Sequence, residues 1–592
     1  MRNVAAAYLL TNQNRFKIIA YEKAADAVEH MNREIKDIWQ EGKLGEIPGI
    51  GPSIESHLNE FFKKGKSKHF ESVLSGVPEN VFELMKIPTI GPKKAFKLVN
   101  SLKLEKSKSV VADLRLACLN GKVAELPTFG KKSQSDILEA IALFQKRSSK
   151  VERMPLPYAD SLASEIIVYL MKHPLVKRAD ALGSLRRKVS TIGDIDIAIQ
   201  VPNEKSAGRE KIDDIIKYFI DFPKRISIDN AGEKKASIII SPNIRVDLRI
   251  EPVESYGSML QYFTGSKSHN INLREYALKL GLSLSEYGIK KWKSGKGKSS
   301  VQKLYKFEDE EKFYQFLGLP YIPPEIREGT NEIDVARNGK IPHLVETSDI
   351  KGDLHIHSSY DLKPSHDLGK NTYRELLSYG KKFGYEYIGF ADHNPKTGDL
   401  SKAQIVEILK KRWRYLKKVA DASDIPLFIG LEADILPDGT LAIPTAGFDY
   451  LDYVIVSVHS VFNLGVSEMT KRIISALSYP KVKILGHPTG RLLGSREGYE
   501  LKWDLVFEAC RKKHVAVEIN AWPERLDLPD TLVREGILAG VKMVINTDAH
   551  ALPHMDNMPY GVSVAKRGWC TKGDIMNTWS KKEMREWIGD MS

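Results

Sequence analysis

The sequence predicts a chain of several domains, with a helical region in front, an α+β unit in the middle and an α/β unit behind. Four observations carry this. Its 592 residues are about four times the roughly 150 residues of a common domain. The first 150 positions hold short apolar stretches broken by Gly-Pro turns, the pattern of small packed helices. A helical run at 162–172 then precedes strand-like alternation at 195–201, 236–240 and 244–250. Beyond residue 350, strands at 387–391, 453–458 and 515–519 alternate with helices such as 404–420. That rhythm is α/β, and polar residues at the strand ends are compatible with a barrel.

Composition narrows the function classes. With 42% hydrophobic and 28% charged residues the chain can bury sizeable cores and remain soluble. No stretch approaches the ~18 consecutive apolar residues of a membrane span, and the first ten residues lack a secretory pattern. A membrane protein is excluded and a cytoplasmic one expected. Cys118, Cys510 and Cys570 are far apart, so neither a disulfide framework nor a cysteine zinc finger is expected. Residues 1–350 carry 56 basic and 45 acidic residues, against 33 and 31 in 351–592. The cationic excess therefore sits in front, where a polyanion such as nucleic acid would be met. Nine of the 15 histidines follow residue 350.

A pattern recurs in the helical region. Ile47-Pro-Gly-Ile-Gly-Pro52, Ile87-Pro-Thr-Ile-Gly-Pro92 and Leu126-Pro-Thr-Phe-Gly-Lys131 share the form apolar-Pro-x-apolar-Gly-x, each followed by a helical segment. Proline ends one helix, and Gly51, Gly91 or Gly130 allows the tight turn into the next; Gly49 belongs to the first copy. The N–H groups at the new helix start suit a phosphate, and Lys93, Lys94, Lys131 and Lys132 place cations beside two of them. One copy alone would be a packing corner. Three in a basic region favour contact with a nucleic-acid backbone, and they resemble helix-hairpin-helix motifs.

Two segments of the middle unit carry chemistry, Gly183-Ser-Leu-Arg-Arg187 and Gly193-Asp-Ile-Asp-Ile-Ala-Ile199. On a strand, Asp194 and Asp196 face one side while Ile195 and Ile197 face the core. Two adjacent carboxylates repel unless a cation lies between them. The next strand, Ile244-Arg-Val-Asp-Leu-Arg-Ile250, puts Asp247 on its polar face. Three acids from neighbouring strands can hold two Mg²⁺ about 3.5–4 Å apart for in-line phosphoryl transfer. A lone Asp-x-Asp is more often a solvated strand edge, but here Ser184, Arg187 and Gly193 add phosphate-binding groups. By contrast, Lys293–Ser299 mimics a phosphate loop without its first glycine and reads as a basic hairpin tip.

Residues 1–323 resemble the family X DNA polymerases, the group of DNA polymerase beta. Beyond the aspartates, Tyr262-Phe-Thr-Gly-Ser266 and Asn270-Ile-Asn-Leu-Arg274 match that family's nucleotide-pocket segment. The resemblance implies metal-binding and catalytic roles for Asp194, Asp196 and Asp247, with Mg²⁺ or Mn²⁺ as the ion. It implies triphosphate contacts for Ser184, Arg187 and Gly193, sugar contacts for Tyr262, Phe263 and Gly265, a minor-groove contact to the incoming base for Asn270, and a templating-side contact for Arg274. Where the family has its Schiff-base lysine this chain has His57. An imidazole cannot form that imine, so His57 is expected to be a surface or DNA-facing residue.

The last unit opens with Gly352-Asp-Leu-His-Ile-His357, whose two histidines share a strand face. Further groups follow at apparent strand ends: Asp392-His393, Gly430-Leu-Glu-Ala-Asp434, His459, His487 and Asp548-Ala-His550. Neutral imidazole with carboxylate suits Zn²⁺, Mn²⁺ or Fe²⁺, and the number of candidates exceeds the need of one four-coordinate ion. This half resembles the PHP (polymerase and histidinol phosphatase) domain. The resemblance implies a distorted barrel with a site for three ions held by His355, His357, His393, Glu432, His459, His487, Asp548 and His550. Asp361 stands one place early for the family's opening motif, with His366 or Asp367 as substitutes.

The expected order is therefore helical DNA-binding segments at 1–80 and 81–150, a nucleotidyltransferase palm at 151–253, a nucleotide-binding subdomain at 254–323, a linker at 324–350 and a PHP phosphoesterase at 351–592. The reading is a monomeric gap-filling repair polymerase acting on gapped or primer-template DNA with deoxynucleoside triphosphates. The attached 3′–5′ exonuclease has abasic-site endonuclease or 3′-phosphatase action as related outcomes. The alternative is a PHP nuclease whose polymerase half mainly grips DNA.

Overall fold

A computed structural model of the chain describes residues 1–11, 15–29, 35–40, 42–47, 49–87, 90–148, 153–202, 209–241, 244–292 and 301–589. The stretch 293–299, expected as a hairpin tip, lies outside them. The chain divides into two compact units, Met1–Glu152 and Arg153–Ser592. No helix among the described residues is long and apolar enough to cross a membrane.

The first unit is helical, with one apolar cluster around Val4, Tyr8, Ile50 and Leu58 and a second around Val81, Ile90, Leu98 and Ile141. The described residues of the three repeats are arranged alike, with Pro48, Pro88 and Thr89 outside them. Buried Ile47 and Ile50, Ile87 and Ile90, or Phe129 pin the turn from below, and the next helix starts at Pro52, Pro92 or Lys131. The glycine just ahead of each start is exposed, and a Cβ on Gly51, Gly91 or Gly130 would meet nothing within 4 Å. Internal packing does not require glycine there; the bare backbone serves whatever approaches from outside. His57 is not a plain surface residue: its ring stacks on His69 at 4.0 Å, and His69 Nε2 lies 2.7 Å from the Tyr8 hydroxyl.

The second unit begins with a five-stranded sheet: β1 (Arg178–Ala181), β2 (Ile195–Val201), β3 (Arg225–Ala231), β4 (Lys235–Ile240) and β5 (Ile244–Pro252). Their spatial order is β1-β2-β5-β4-β3, with only β2 and β5 parallel. The alternating Ile195, Ile197 and Ile199 are fully buried, as are Val246 and Leu248, which fixes the face that the intervening aspartates take. A three-stranded meander follows, β6 (Leu282–Ser285), β7 (Gly288–Trp292) and β8 (Val301–Tyr305).

Residues 324–350 differ from the expected linker. Proline and glycine made the segment read as a connection, yet Ile326, Ile333 and Ala336 are buried in one cluster with Phe313, Tyr314 and Trp569. Arg327 is fully buried. The segment also pairs with the far end of the chain, Val345 N–H donating to Cys570 O at 2.9 Å.

The last part is a seven-stranded, all-parallel sheet in sequence order: β9 (Gly352–Ile356), β10 (Tyr387–Phe390), β11 (Leu427–Asp434), β12 (Tyr453–Ser457), β13 (Val482–Leu485), β14 (Ala516–Asn520) and β15 (Met543–Asn546). It curls into a nearly closed barrel. Its first and last strands meet through a bridge between Ile356 and Ala549, a bond from His357 N–H to Ala549 O at 2.8 Å and one from Leu354 N–H to Asn546 Oδ1 at 3.0 Å. Inside, the Tyr453 ring fills the space that side chains at Gly389 and Gly430 would take, and Met584 and Ile588 of the C-terminal helix join the same cluster.

Glu310 is buried between Arg327 and Arg186. Burial alone would raise its carboxyl pKa, but the two guanidinium groups outweigh it and hold the group at about 2. A depressed folded value means that this stabilisation is complete above the unfolded carboxyl range near 4.3 and fades as pH falls toward 2. Glu310→Gln should cost about 3–5 kcal/mol, because it leaves Arg327 buried without its counter-charge. Thermal unfolding between pH 2 and 7 checks both the loss and the flattened acid dependence of the variant.

Candidate active sites

The first site lies on β2 and β5. The two strands run parallel in a register that makes Asp196 and Asp247 direct partners, while Asp194 precedes β2 at an exposed bend. Burial, and then the charges of Asp194 and Asp247, push the Asp196 carboxyl up to about 6. Carboxylates gathered this closely raise one another's pKa, here against the opposing pull of Arg249 and Arg245. Asp247 accepts from the Ser237 hydroxyl and from Arg245 Nε at 3.0 Å, and Arg245 reaches Asp229 at 3.0 Å with Nη1.

The turn that opens the expected phosphate-binding segment packs against these acids. Gly183 opens a one-turn helix with φ +57°, and a Cβ there would stand 2.8 Å from Asp196 Oδ2, so only glycine lets Ser184 follow so closely. Arg187 is already engaged: Nη1 donates to Thr264 O at 2.6 Å and Nε to Glu328 at 3.0 Å. Gly193 faces Arg153, whose Nη1 would lie 3.2 Å from an added Cβ. Tyr262 and Phe263 end the helix Tyr256–Thr264. Arg249 lies over the Phe263 ring at 3.6 Å and Arg274 over Tyr262 at 5.2 Å. Gly265 is buried with φ +69°. Asn270 donates to Tyr262 O at 2.7 Å and accepts from Gln261 at 2.9 Å. Sequence reasoning missed Arg153, Arg245 and Arg249. The last two sit two residues either side of Asp247, so the strand period alone puts them on its face.

The second site caps the carboxyl end of the barrel, and all seven strands supply it. His355 lies in β9 and His357 just follows it, His393 follows β10, Glu432 lies in β11, His459 and His487 follow β12 and β13, Glu518 lies in β14, and Asp548 and His550 follow β15. Four sets offer ligand atoms all within 4.8 Å of one another: His357 with His393 and His550; His355 with His357 and Asp548; His393 with Glu432 and His459; His366 with Asp434 and His459. His487 joins them through Nε2, 2.9 Å from Glu432 Oε1.

The polar atoms at this centre lack what their burial demands. His355 Nε2, both ring nitrogens of His357, His393 Nδ1, Glu432 Oε2, Asp548 Oδ1 and His550 Nε2 are buried without a hydrogen-bond partner. Unsatisfied buried groups are costly, and here they converge as imidazole nitrogens and carboxylate oxygens, a donor set suited to divalent metal. Burial and neighbouring imidazoles press His357 down to about 3, and burial with Arg525 takes His487 to about 4. Neutral rings of this kind are the form that ligates metal. Burial opposes ionisation of Glu432, but His459, His355 and His393 hold it well below its usual range.

Outer contacts orient these ligands. Glu518 takes His355 Nδ1 at 2.7 Å and the His487 N–H at 2.8 Å. Buried Arg412 donates to Asp392 at 2.6 Å and to Gly430 O at 2.7 Å. Asp361 is not in the cluster: it is exposed and accepts from Lys363 N–H at 2.8 Å. His366 occupies that side, 3.0 Å from Asp434, and Asp367 has its pKa lowered, against burial, by His550 and His393. Glu518 escaped notice, although an acid within an otherwise apolar strand was a readable signal.

Residues 1–67 match the helix-hairpin-helix domain family and residues 259–328 the DNA polymerase beta thumb family. The chain is 34% identical over 99% of its length to DNA polymerase/3′-5′ exonuclease PolX of Bacillus subtilis, covering 98% of that protein. It is 28% identical to a probable phosphatase of Clostridium acetobutylicum over 39% of this chain and 91% of that one. It is also 23% identical to DNA polymerase lambda of Rattus norvegicus, over 53% of each chain.

Divalent metal should stabilise the barrel end by binding the folded state alone, by about 2.7 kcal/mol at a hundredfold excess over Kd. Chelation should lower the melting temperature and Mn²⁺ or Zn²⁺ restore it. Asp548→Asn should lose most of this response. Scanning calorimetry with metal analysis of the dialysed protein measures it.

Proposed function

The chain belongs to the PolX family, family X DNA polymerases that carry a PHP domain, and from that premise we propose that it fills short gaps in DNA and trims 3′ ends at a second site. The observation that carries the synthetic half is the parallel register that sets Asp196 against Asp247 with Asp194 beside them. The one that carries the trimming half is the ring of imidazoles and carboxylates at the barrel end, several of whose buried atoms lack a hydrogen-bond partner.

In the first site Asp194, Asp196 and Asp247 hold the ions, Mg²⁺ or Mn²⁺. Bound there, such ions supply Lewis acidity toward the attacking hydroxyl and the phosphates. Ser184, the backbone at Gly193 and Arg187 bind the triphosphate. With Nε and Nη1 occupied, Arg187 offers Nη2 to a phosphate oxygen. Tyr262, Phe263 and Gly265 shape the sugar pocket, Asn270 is held by two bonds facing the incoming base, and Arg274 stands on the templating side. Gly49, Gly51, Gly91, Lys93, Lys94, Gly130 and Lys131 grip the DNA backbone, exchanging counterions for protein cations.

In the second site His355, His357, His393, Glu432, His459, His487, Asp548 and His550 hold Zn²⁺, Mn²⁺ or Fe²⁺, three ions in all, with His366 and Asp434 alongside. Their burial excludes bulk water from the phosphoester under attack. The likeness to a probable phosphatase favours 3′-phosphate removal as a second reaction of the same groups. The protein works as a cytoplasmic monomer on gapped or primer-template DNA.

Two variants separate the halves. Asp247→Ala should lower nucleotide incorporation on gapped DNA at least about 100-fold, the order for loss of a charge-stabilising group, and leave trimming intact. His355→Ala should do the reverse on a mismatched 3′ end. Trimming that persists in His355→Ala, or extension that persists in Asp247→Ala, would refute the corresponding half of the assignment.

A further inference from the structure

The barrel touches the nucleotide-binding residues through one helix. Met558–Arg567 ends on Arg567, a nearly buried arginine whose Nη2 is anchored on its own side by Asp530 at 2.7 Å. Its Nη1 crosses over, donating to Arg187 O at 2.8 Å and to Glu328 Oε1 at 2.7 Å. The same Glu328 oxygen accepts from Arg187 Nε at 3.0 Å. One carboxylate is thus shared by two guanidinium groups, one from each catalytic half. Lys566 adds ion pairs to Glu325 and Glu346, both at 2.9 Å.

We propose that Arg567 is a positioning residue for Arg187, so that the trimming half of the chain sets the affinity of the synthetic half for its nucleoside triphosphate. The proposal rests on the reading of Arg187 as a triphosphate contact. The physical ground is competition for one acceptor. Glu328 is only partly buried, with 31% of its side chain exposed, so its pull on any one guanidinium depends on how many cationic donors share it. While Arg567 holds Glu328, that oxygen divides its negative charge between two donors, and Arg187 can turn its fork toward a phosphate. Without Arg567, Glu328 has Arg187 as its remaining cationic donor and draws the guanidinium away from the pocket. The bond to Arg187 O also fixes the backbone from which the side chain springs.

The test uses the full chain and steady-state filling of a one-nucleotide gap. Arg567→Met should raise KM for the nucleotide about tenfold, the loss of one charge-assisted contact, with kcat within about twofold. Trimming of single-stranded 3′ ends should be unchanged, which reports an intact barrel. Adding Glu328→Gln to Arg567→Met removes the competing charge and should bring KM most of the way back. A rise that Glu328→Gln does not reverse, or no rise at all, overturns the proposal. Arg187→Ala separates the two levels. A raised KM there with an unaltered KM in Arg567→Met overturns the coupling alone, whereas an unaltered KM in Arg187→Ala removes the triphosphate reading and the coupling together. Should Arg567→Met fail to fold, Arg567→Gln keeps a hydrogen-bonding amide without the competing charge and supports the same comparisons.

Discussion

Like charges held together out of water are the constraint on which both halves of this molecule turn. Asp196 and Asp247 meet across β2 and β5 with exposed Asp194 beside them, and burial with the charges of the other two lifts Asp196 to about 6. At the barrel end, seven imidazole and carboxylate side chains converge, each with at least one buried atom that lacks a hydrogen-bond partner. Neither cluster is self-sufficient, since buried polar groups need partners. The chain keeps them in place because hydrophobic packing elsewhere leaves no alternative. Ile195, Ile197 and Ile199 occupy the core face of β2, so a slip of one residue would bury Asp196 and expose all three.

The two sites use different means to gather their groups. A pair of strands suffices for the first, because side chains at matched positions of parallel neighbours project side by side. The second takes one or two residues from within or just beyond every strand of a nearly closed sheet, and its curvature decides how near they come. His487 and Asp548 have positive φ, +25° and +53°. For residues with a Cβ this costs on the order of 1–3 kcal/mol each, strain that the surrounding barrel overrides.

Much of this was legible in the sequence, for reasons that can be stated. Period-two alternation located β2, β4 and β5 to within a residue or two, and the acids between the isoleucines fell on the facing side. The histidine groups stood at strand ends because strand, polar end and helix alternate so regularly there. Motif spacing leaves Asp361, His366 and Asp367 open; in the structure a local turn captures Asp361 with Lys363 N–H and His366 lies 3.0 Å from Asp434. Two features were not legible. Residues 324–350 looked like a connection from their prolines and glycines, whereas Ile326 and Ile333 make them part of a core. The clamp on Arg187 was hidden because its partners are tertiary: Glu328 and Arg567 lie 141 and 380 positions away.

Trp569 belongs to the barrel by sequence but is buried among Phe313, Tyr314, Ile326 and Ile333. Cutting the gene between the two activities would therefore yield fragments that each keep an open wound: one with a vacant indole-sized hollow, the other with a bare aromatic ring on its flank. Fusion here is an architectural dependence, and ancestral separation of the halves would have required each surface to be rebuilt.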